Sequence, residues 1–397
     1  MDVRLARRMA EVRPSAIRDL LRLGADPELI SFGGGYPDPD LFPMEELRQV
    51  MDELLSGGNR GVLQYTVSDG LPRLREQVAA RMARDGTACA AGDVLILQGA
   101  QQGLDLAAKL VLDPGDVVIT ENPTFLGALI AFNPYEPAYA PVRTDKSGMD
   151  VDDLERVLEQ TPRARLLYTM PDFQNPTGVT LTLERRRRLV ELADRFNVLV
   201  VEDTPYRDLR FEGEAVPSLK SLDTEGRVVY LGSFSKTLAP GMRLGWAVAS
   251  GEIIAKLGLL KLAADTQCST LNMAAASAYL DRFDLDQHIG RIRSAYRRKR
   301  DLMLGIIAAS FPSSVAWTHP NGGLFTWLTF PQGFDSAAFM RDDLIPRARV
   351  AYVPGATFYS VVQEPNHARV NFSGVSDERI VAGMTRMADL LRATLGT

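Results

Sequence analysis

From about residue 93 the chain alternates short apolar runs with longer segments whose apolar positions recur at helical spacing. "DVLILQGA" reads as a strand entering a small-residue turn, and "QQGLDLAAKLVL" as the helix after it. The runs "DVVITENPTF", "ARLLYTMPDFQNPTG", "NVLVVEDTPY" and "RVVYLGSFSK" repeat the pattern, each leaving an apolar strand for a polar loop. Strands apolar on both faces and separated by helices predict a mostly parallel sheet covered on both sides. In such sheets ligands bind beyond the carboxyl ends of the strands. Every polar cluster considered below falls at one of those ends.

After about residue 290 the pattern changes. A charged helix over "IGRIRSAYRRKRDLMLGIIAAS" leads to the strand-like "GGLFTWLTF" and "RVAYVPGATF", and a further helix covers "SDERIVAGMTRMADLLRATL". The expectation is an α/β protein with a large domain over residues 46–290 and a smaller α+β domain over 291–397. Residues 1–45 should join the smaller one.

Composition narrows the function classes. At 397 residues, 46% hydrophobic and 24% charged, the chain suits one large domain with a smaller companion and leaves little room for disorder. A net charge of −5, from 45 Lys+Arg against 50 Asp+Glu, gives no pull toward nucleic acid. Arg185 to Arg188 form a basic run within helical spacing, which reads as a solvated helix face. Cys89 and Cys268 lack metal or redox spacing, and His288, His319 and His367 are scattered, so neither a disulfide framework nor a metal site is expected. The N-terminal stretch is amphipathic and carries acids, unlike a secretory signal, and no apolar run approaches the ~18 residues of a membrane span. A cytoplasmic protein with no membrane partner is expected.

The chemistry centres on "YLGSFSKTLAPGMRLGW". An ε-amine such as that of Lys236 forms a Schiff base with an aldehyde if burial and neighbouring cations lower its pKa. Ser233 and Ser235 offer hydroxyls, and Arg243 a forked guanidinium suited to a dianionic phosphate. A ligand with both an aldehyde and a phosphate would use all four, which points to pyridoxal 5′-phosphate. Its ring nitrogen needs a carboxylate partner. Asp203, directly after an apolar strand, fits that role, although a helix N-cap is an alternative for it. Tyr206 and Asn175 are typed to donate to the ring's phenolic oxygen, and Phe125 offers a flat face. Gly99, Ala100 and Gln101 open a helix, whose free amides favour an anion.

In these motifs, "PDFQNPTG" and "SFSKTLAPGMRLGW" above all, the chain resembles the fold-type I pyridoxal-phosphate aminotransferases of class I/II. The resemblance extends from "PSAIRDLLRLGADPELISFGGGYPDPDLFP" to "HARVNFSGVSDERI", and is nearest the branch of α-aminoadipate (LysN-type) and kynurenine aminotransferases. It implies that Lys236 bonds the coenzyme and shuttles the substrate proton, with Asp203 on the ring nitrogen and Tyr206 and Asn175 on the phenolic oxygen. Ala100, Gln101, Ser233, Ser235 and Arg243 would hold the phosphate. Tyr65 would reach the phosphate of a neighbouring subunit, making a homodimer with shared active sites. Arg369 would clamp the substrate carboxylate, Gly35 would leave room for it, and Arg18 would meet a distal carboxylate. Both Asn-Pro bonds, in "ENPTF" and "QNPTG", would be cis. Ala100 and Phe125 replace a serine and a tyrosine common in relatives, removing two hydroxyls while keeping the backbone amide and the stacking face.

The implied activity is transfer of an amino group from an L-α-amino acid (2-aminoadipate, glutamate, aromatic or aliphatic) to a 2-oxo acid such as 2-oxoglutarate. Other reactions on the same coenzyme, among them C–S β-elimination, decarboxylation and oxidation, stay open. So does a non-enzymatic ligand sensor, against which the apparent lack of a DNA-binding extension counts.

Overall fold

The structure is a computed structural model that describes residues 3–10 and 26–396; Arg18 lies outside the described residues. A short strand, β1 (Ile30–Ser31), precedes the main sheet. Among the described residues that sheet has eight strands: β2 (Val94–Leu97), β3 (Val117–Asn122), β4 (Ala138–Asp145), β5 (Gly148–Met149), β6 (Ala164–Thr169), β7 (Leu199–Asp203), β8 (Val228–Ser233) and β9 (Gly245–Val248). Their spatial order is β2-β9-β8-β7-β6-β3-β4-β5.

Strands β4, β3, β6, β7 and β8 run parallel; the apolar runs of β3, β6, β7 and β8 predict this, whereas β4, with one buried residue among eight, carries no such run and was not identified from the sequence. β9 is antiparallel to both of its neighbours, β8 and β2. Two reversals restore the original direction, so β2 points the same way as β8. Six strands therefore deliver their carboxyl ends to one rim of the sheet. Sequence reasoning did not identify β9: its four residues are all buried, but burial encodes a strand and not its direction.

Helices clothe the sheet. α1 (Ala100–Val111) buries Leu104, Leu106, Ala107 and Ala108. A Cβ built on its Gly103 would stand 2.5 Å from Leu231 Cδ2, so glycine lets helix and strand approach closely. α2 (Leu183–Arg195) starts at Thr182, whose hydroxyl accepts from the Arg185 amide.

The arginine run on α2 departs from expectation. Arg187 is exposed, but Arg186 is 0% exposed. Its guanidinium donates to the carbonyls of Leu181, Pro171 and Pro217 and pairs with buried Asp172 at 2.8 Å. Asp172 also accepts from Arg207 at 2.9 Å and from Arg210 at 3.2 Å. The run is thus not a uniformly solvated face: a carboxylate remote in sequence draws one member inward.

The other helices used below are α3 (Gly251–Asp265), α4 (Leu285–Ser310) and α5 (Asp377–Leu395). β10 (Ala316–Trp317), β11 (Phe325–Thr329), β14 (His367–Asn371) and β13 (Val353–Pro354) form a second, antiparallel sheet in that order. β12 (Val350–Ala351) pairs in parallel with β1, which fastens the segment from residue 26 to the C-terminal part of the chain. α4 crosses residue 290: Leu285 and Ile289 pack with Trp246 of the large sheet, while Met303 and Ile307 share a core with Phe325 and Met384. No helix of the described residues is long and apolar enough to cross a membrane, and none of them form a group that could hold a metal ion.

Candidate active site

The carboxyl ends of the parallel strands open on a cavity of about 360 Å³. The strand ends supply most of the predicted residues that line it. β2 leads to Ala100 and Gln101, β3 to Phe125, β6 to Asn175, β7 to Asp203 and Tyr206, and β8 to Ser233, Ser235 and Lys236. Arg243 closes one end, Gly35 comes from the chain after β1, and Arg369 comes from β14. Gly99 stands just behind: its φ is +78°, and a Cβ there would lie 2.7 Å from Arg243 Nη2. Tyr65 does not line this cavity; it is 81% exposed.

Lys236 is partly open to the cavity but otherwise enclosed by protein, and its Nζ donates to the Gly35 carbonyl at 2.6 Å. Burial, reinforced by the charges of Arg369 and Arg243, pushes its pKa down to about 8. A sizeable fraction of this amine is therefore neutral near physiological pH, as a nucleophile requires.

Asp203 presents the opposite case. Tyr168 donates to its Oδ2 at 3.0 Å, while Oδ1 is buried without a partner among the described residues. Burial raises the carboxyl to about 7, against the opposing effect of the Tyr168 hydrogen bond. An orphaned buried carboxylate oxygen is costly unless a donor arrives. No helix starts at Thr204, so the N-cap alternative for Asp203 is not realised.

Arg369 is 2% exposed and, among the described residues, pairs with no carboxylate. Its Nη1 donates to Asn175 Oδ1 at 2.8 Å and its Nη2 to the Gly33 carbonyl at 2.7 Å, while Nε has no partner. The guanidinium lies over the rings of Phe325, at 4.2 Å, and Phe358, at 5.1 Å. Burial lowers its pKa to about 10, with Tyr206 opposing. A buried cation without a counterion is a prepared seat for an anion. Tyr206 packs edge-on to Phe325 at 5.8 Å, and burial raises its phenol above the ordinary range.

At the far end, Ser233 Oγ accepts from the Ser235 amide at 3.1 Å. Arg243, in the left-handed region at φ 52°, donates to the Gln98 carbonyl at 3.1 Å. Among the described residues it has no carboxylate partner. With the first amides of α1, these groups could hold a phosphate. Both Asn122-Pro123 and Asn175-Pro176 are cis.

Several residues of the site escaped sequence reasoning. Tyr168 sits inside an apolar strand, and only the β6–β7 pairing brings its hydroxyl to Asp203. Glu121, at the end of β3, accepts from Thr169 Oγ1, the Met170 amide and Gln174 Nε2; burial, with Asp203 adding to it, raises its carboxyl to about 7. The signal for Glu121 was present: an acid directly after an apolar strand, as at Asp203. Tyr36 and Pro240, also on the cavity wall, carry no such mark.

A larger cleft of about 680 Å³ lies beyond the loop at Thr177 and Gly178, against Trp317 and Trp327. It includes none of the predicted residues. The smaller cavity is the one that combines a depressed amine, an orphaned carboxylate oxygen and an uncompensated guanidinium.

These groups fit pyridoxal 5′-phosphate: Asp203 Oδ1, buried without a donor among the described residues, can accept from a protonated pyridine nitrogen, and Arg243 with the first amides of α1 can hold a phosphate. They fit a substrate carboxylate at Arg369 equally well.

Comparison with known proteins agrees. The sequence profile of the family described as aminotransferase class I and II matches residues 28–386. The chain is 39% identical over 386 residues to aromatic-amino-acid aminotransferase 1 of Thermococcus litoralis, covering 96% of this chain and 92% of that protein. Its structure is similar to that of Pyrococcus horikoshii kynurenine aminotransferase, solved in complex with PMP, at a TM-score of 0.93 and 39% identity, covering 98% and 97% of the two chains. It is also similar to LysN, the α-aminoadipate aminotransferase of Thermus thermophilus, complexed with N-(5′-phosphopyridoxyl)-L-leucine. There the TM-score is 0.91 and the identity 34%, over 99% and 98%.

Proposed function

The chain belongs to the class I and II aminotransferases, fold-type I enzymes that use pyridoxal 5′-phosphate, and from that membership we propose which residues do the work and on what substrates. The amino donor is an aromatic, aliphatic or acidic L-amino acid, and the acceptor is a 2-oxo acid, 2-oxoglutarate first among them. One observation carries the reading. An amine at pKa about 8, a carboxylate oxygen with no donor and a guanidinium with no carboxylate share a single cavity.

Asp203 Oδ1 would hold the ring nitrogen, and Tyr206 and Asn175 the phenolic oxygen. Phe125 would cover the ring face, and Gly99, Ala100, Gln101, Ser233, Ser235 and Arg243 would surround the phosphate. When bound, the coenzyme supplies an aldehyde for the amino group and a protonated ring that withdraws electrons from the substrate's Cα. Arg369 orients the substrate by its α-carboxylate, with Gly35 leaving space beside it. Lys236 Nζ, neutral for part of the time, would take the substrate's Cα proton and hold it for return. Phe325 and Phe358 exclude water behind Arg369, which strengthens its hold on the carboxylate. Arg18 remains the candidate for a distal carboxylate.

We also read the enzyme as a cytoplasmic homodimer. Tyr65 is exposed beside Leu63 and Val67, and Leu259 and Leu262 stand exposed on α3. Such apolar exposure on a soluble-type composition supports burial against a second copy.

The test is Lys236→Ala, assayed with a panel of amino acids and 2-oxoglutarate. The variant should keep coenzyme only noncovalently and lose turnover. Transamination at the wild-type rate would remove Lys236 from the mechanism.

A further inference from the structure

The end of α3 carries a strained turn that the site described above does not use. Thr266 has φ 62° and ψ −54°, and the Gln267 amide donates to the Asp265 carbonyl at 2.6 Å across it. This is a γ-turn of the rare, strained kind, held by a non-glycine residue. Strain of this sort persists only when the surroundings fix it from both sides.

Both sides are fixed. Upstream, Asp265 pairs with Lys261, itself 0% exposed, at 2.7 Å. Gln102 Nε2 donates to the other Asp265 oxygen at 2.8 Å, and Gln102 Oε1 accepts from the Gln98 amide at 2.9 Å. The Gln98 carbonyl in turn accepts from Arg243. The turn is therefore bonded to the floor of the phosphate cradle. Downstream, Gln267 Oε1 accepts from the Thr66 amide, and Gln267 Nε2 donates to Thr270 Oγ1 at 2.8 Å. The Thr270 hydroxyl donates to the Gln64 carbonyl at 2.8 Å. The backbone on either side of Tyr65 is thus clamped, while the Tyr65 ring projects away from its own subunit.

We infer that Gln267 is a positioning residue that sets Tyr65 for the coenzyme phosphate of a second copy of this chain. The inference rests on the reading that Tyr65 crosses between subunits. The γ-turn places the Gln267 side chain, Gln267 and Thr270 fix residues 64–66, and the clamp is referenced to the chain's own phosphate cradle. Two cradles in a dimer would be aligned through the same six-residue stretch, 265–270.

The effect should therefore appear in the partner's site. The readout is release of coenzyme from diluted holoenzyme dimers, followed by its visible absorbance, with Lys236→Ala marking the site that holds none covalently. When Gln267→Ala and Lys236→Ala lie on one subunit and the other is unaltered, the unaltered subunit's coenzyme should leave about tenfold faster, the effect of one lost hydrogen bond. When Gln267→Ala lies on one subunit and Lys236→Ala on the other, release from the Gln267→Ala subunit should stay at the wild-type rate. Loss confined to this second arrangement, or equal loss in both, overturns the proposal. Thr270→Val, which keeps the shape and removes the hydroxyl, should speed release in the same trans pattern if Gln267→Ala does not fold; a wild-type rate would also overturn it. Tyr65→Phe separates the premise from the inference. If Tyr65→Phe alone leaves release unchanged, the crossing of Tyr65 is wrong; if it speeds release while Gln267→Ala and Thr270→Val do not, only the positioning role fails.

Discussion

Arg186→Met compared with Arg187→Met tests the buried end of the arginine run. Methionine refills most of the volume at either position, so the difference between the variants isolates the guanidinium. At Arg186, five hydrogen bonds disappear: one each to the carbonyls of Leu181, Pro171 and Pro217, and two to Asp172. Each buried carbonyl left without a donor costs about 1 kcal/mol or more. Asp172 retains Arg207 and Arg210, so its own loss is partial. Together these give about 3–5 kcal/mol, within the range for breaking a buried ion pair. That is a large share of a native stability on the order of 5–15 kcal/mol. In urea, with a slope of about 3 kcal/mol/M or steeper for a chain of this size, the midpoint should fall by about 1 M. Arg187→Met should leave the midpoint within experimental scatter, because its side chain is exposed. The measurement is equilibrium unfolding of both coenzyme-bound variants beside the parent chain. Equal midpoints for the two would refute the account of Arg186 as an anchored core residue.

Two further outcomes follow from the site. Burial brings the Lys236 amine down to about 8, whereas the unfolded chain keeps that proton up to about 10.5. Its cost to the coenzyme-free fold is therefore greatest below pH 8 and declines as pH rises from 8 to 10.5. Lys236→Met should accordingly stabilise the coenzyme-free protein at pH 7 and lose most of that advantage by pH 10; a pH-independent gain in urea midpoint would refute the assignment. Gly99→Ala forces a side chain into the left-handed region and a Cβ to 2.7 Å from Arg243 Nη2. It should weaken coenzyme uptake by about 1–2 kcal/mol in a titration of the coenzyme-free chain, and undiminished affinity would show that Arg243 is not held there for the phosphate.

The parallel core was legible because strands buried on both faces write themselves as unbroken apolar runs, as in Val94–Leu97 and Val228–Ser233. The residues that follow those runs, from Ala100 to Lys236, could be named before their geometry was known, since strand ends define where a ligand sits. What stayed hidden depends on lateral neighbours. Tyr168 becomes a partner of Asp203 only through the pairing of β6 with β7, and Arg186 turns inward only because Asp172 is brought beside it. The direction of β9 belongs to the same class, for chain reversal leaves no trace in composition. Tyr65 is the converse: its role was inferred from a motif, while within a single chain it touches nothing of the cavity.

The shared direction of six strands, with only β5 and β9 running backward among the described residues, has a practical outcome. Because β2, β3, β4, β6, β7 and β8 point the same way, the turns that enter them collect on the rim facing away from the cavity. Thr224 and Glu225, exposed just ahead of β8, belong to that rim. A fluorophore, a surface tether or an inserted peptide attached there would leave the reacting groups undisturbed, so the molecule offers a natural handle for immobilisation.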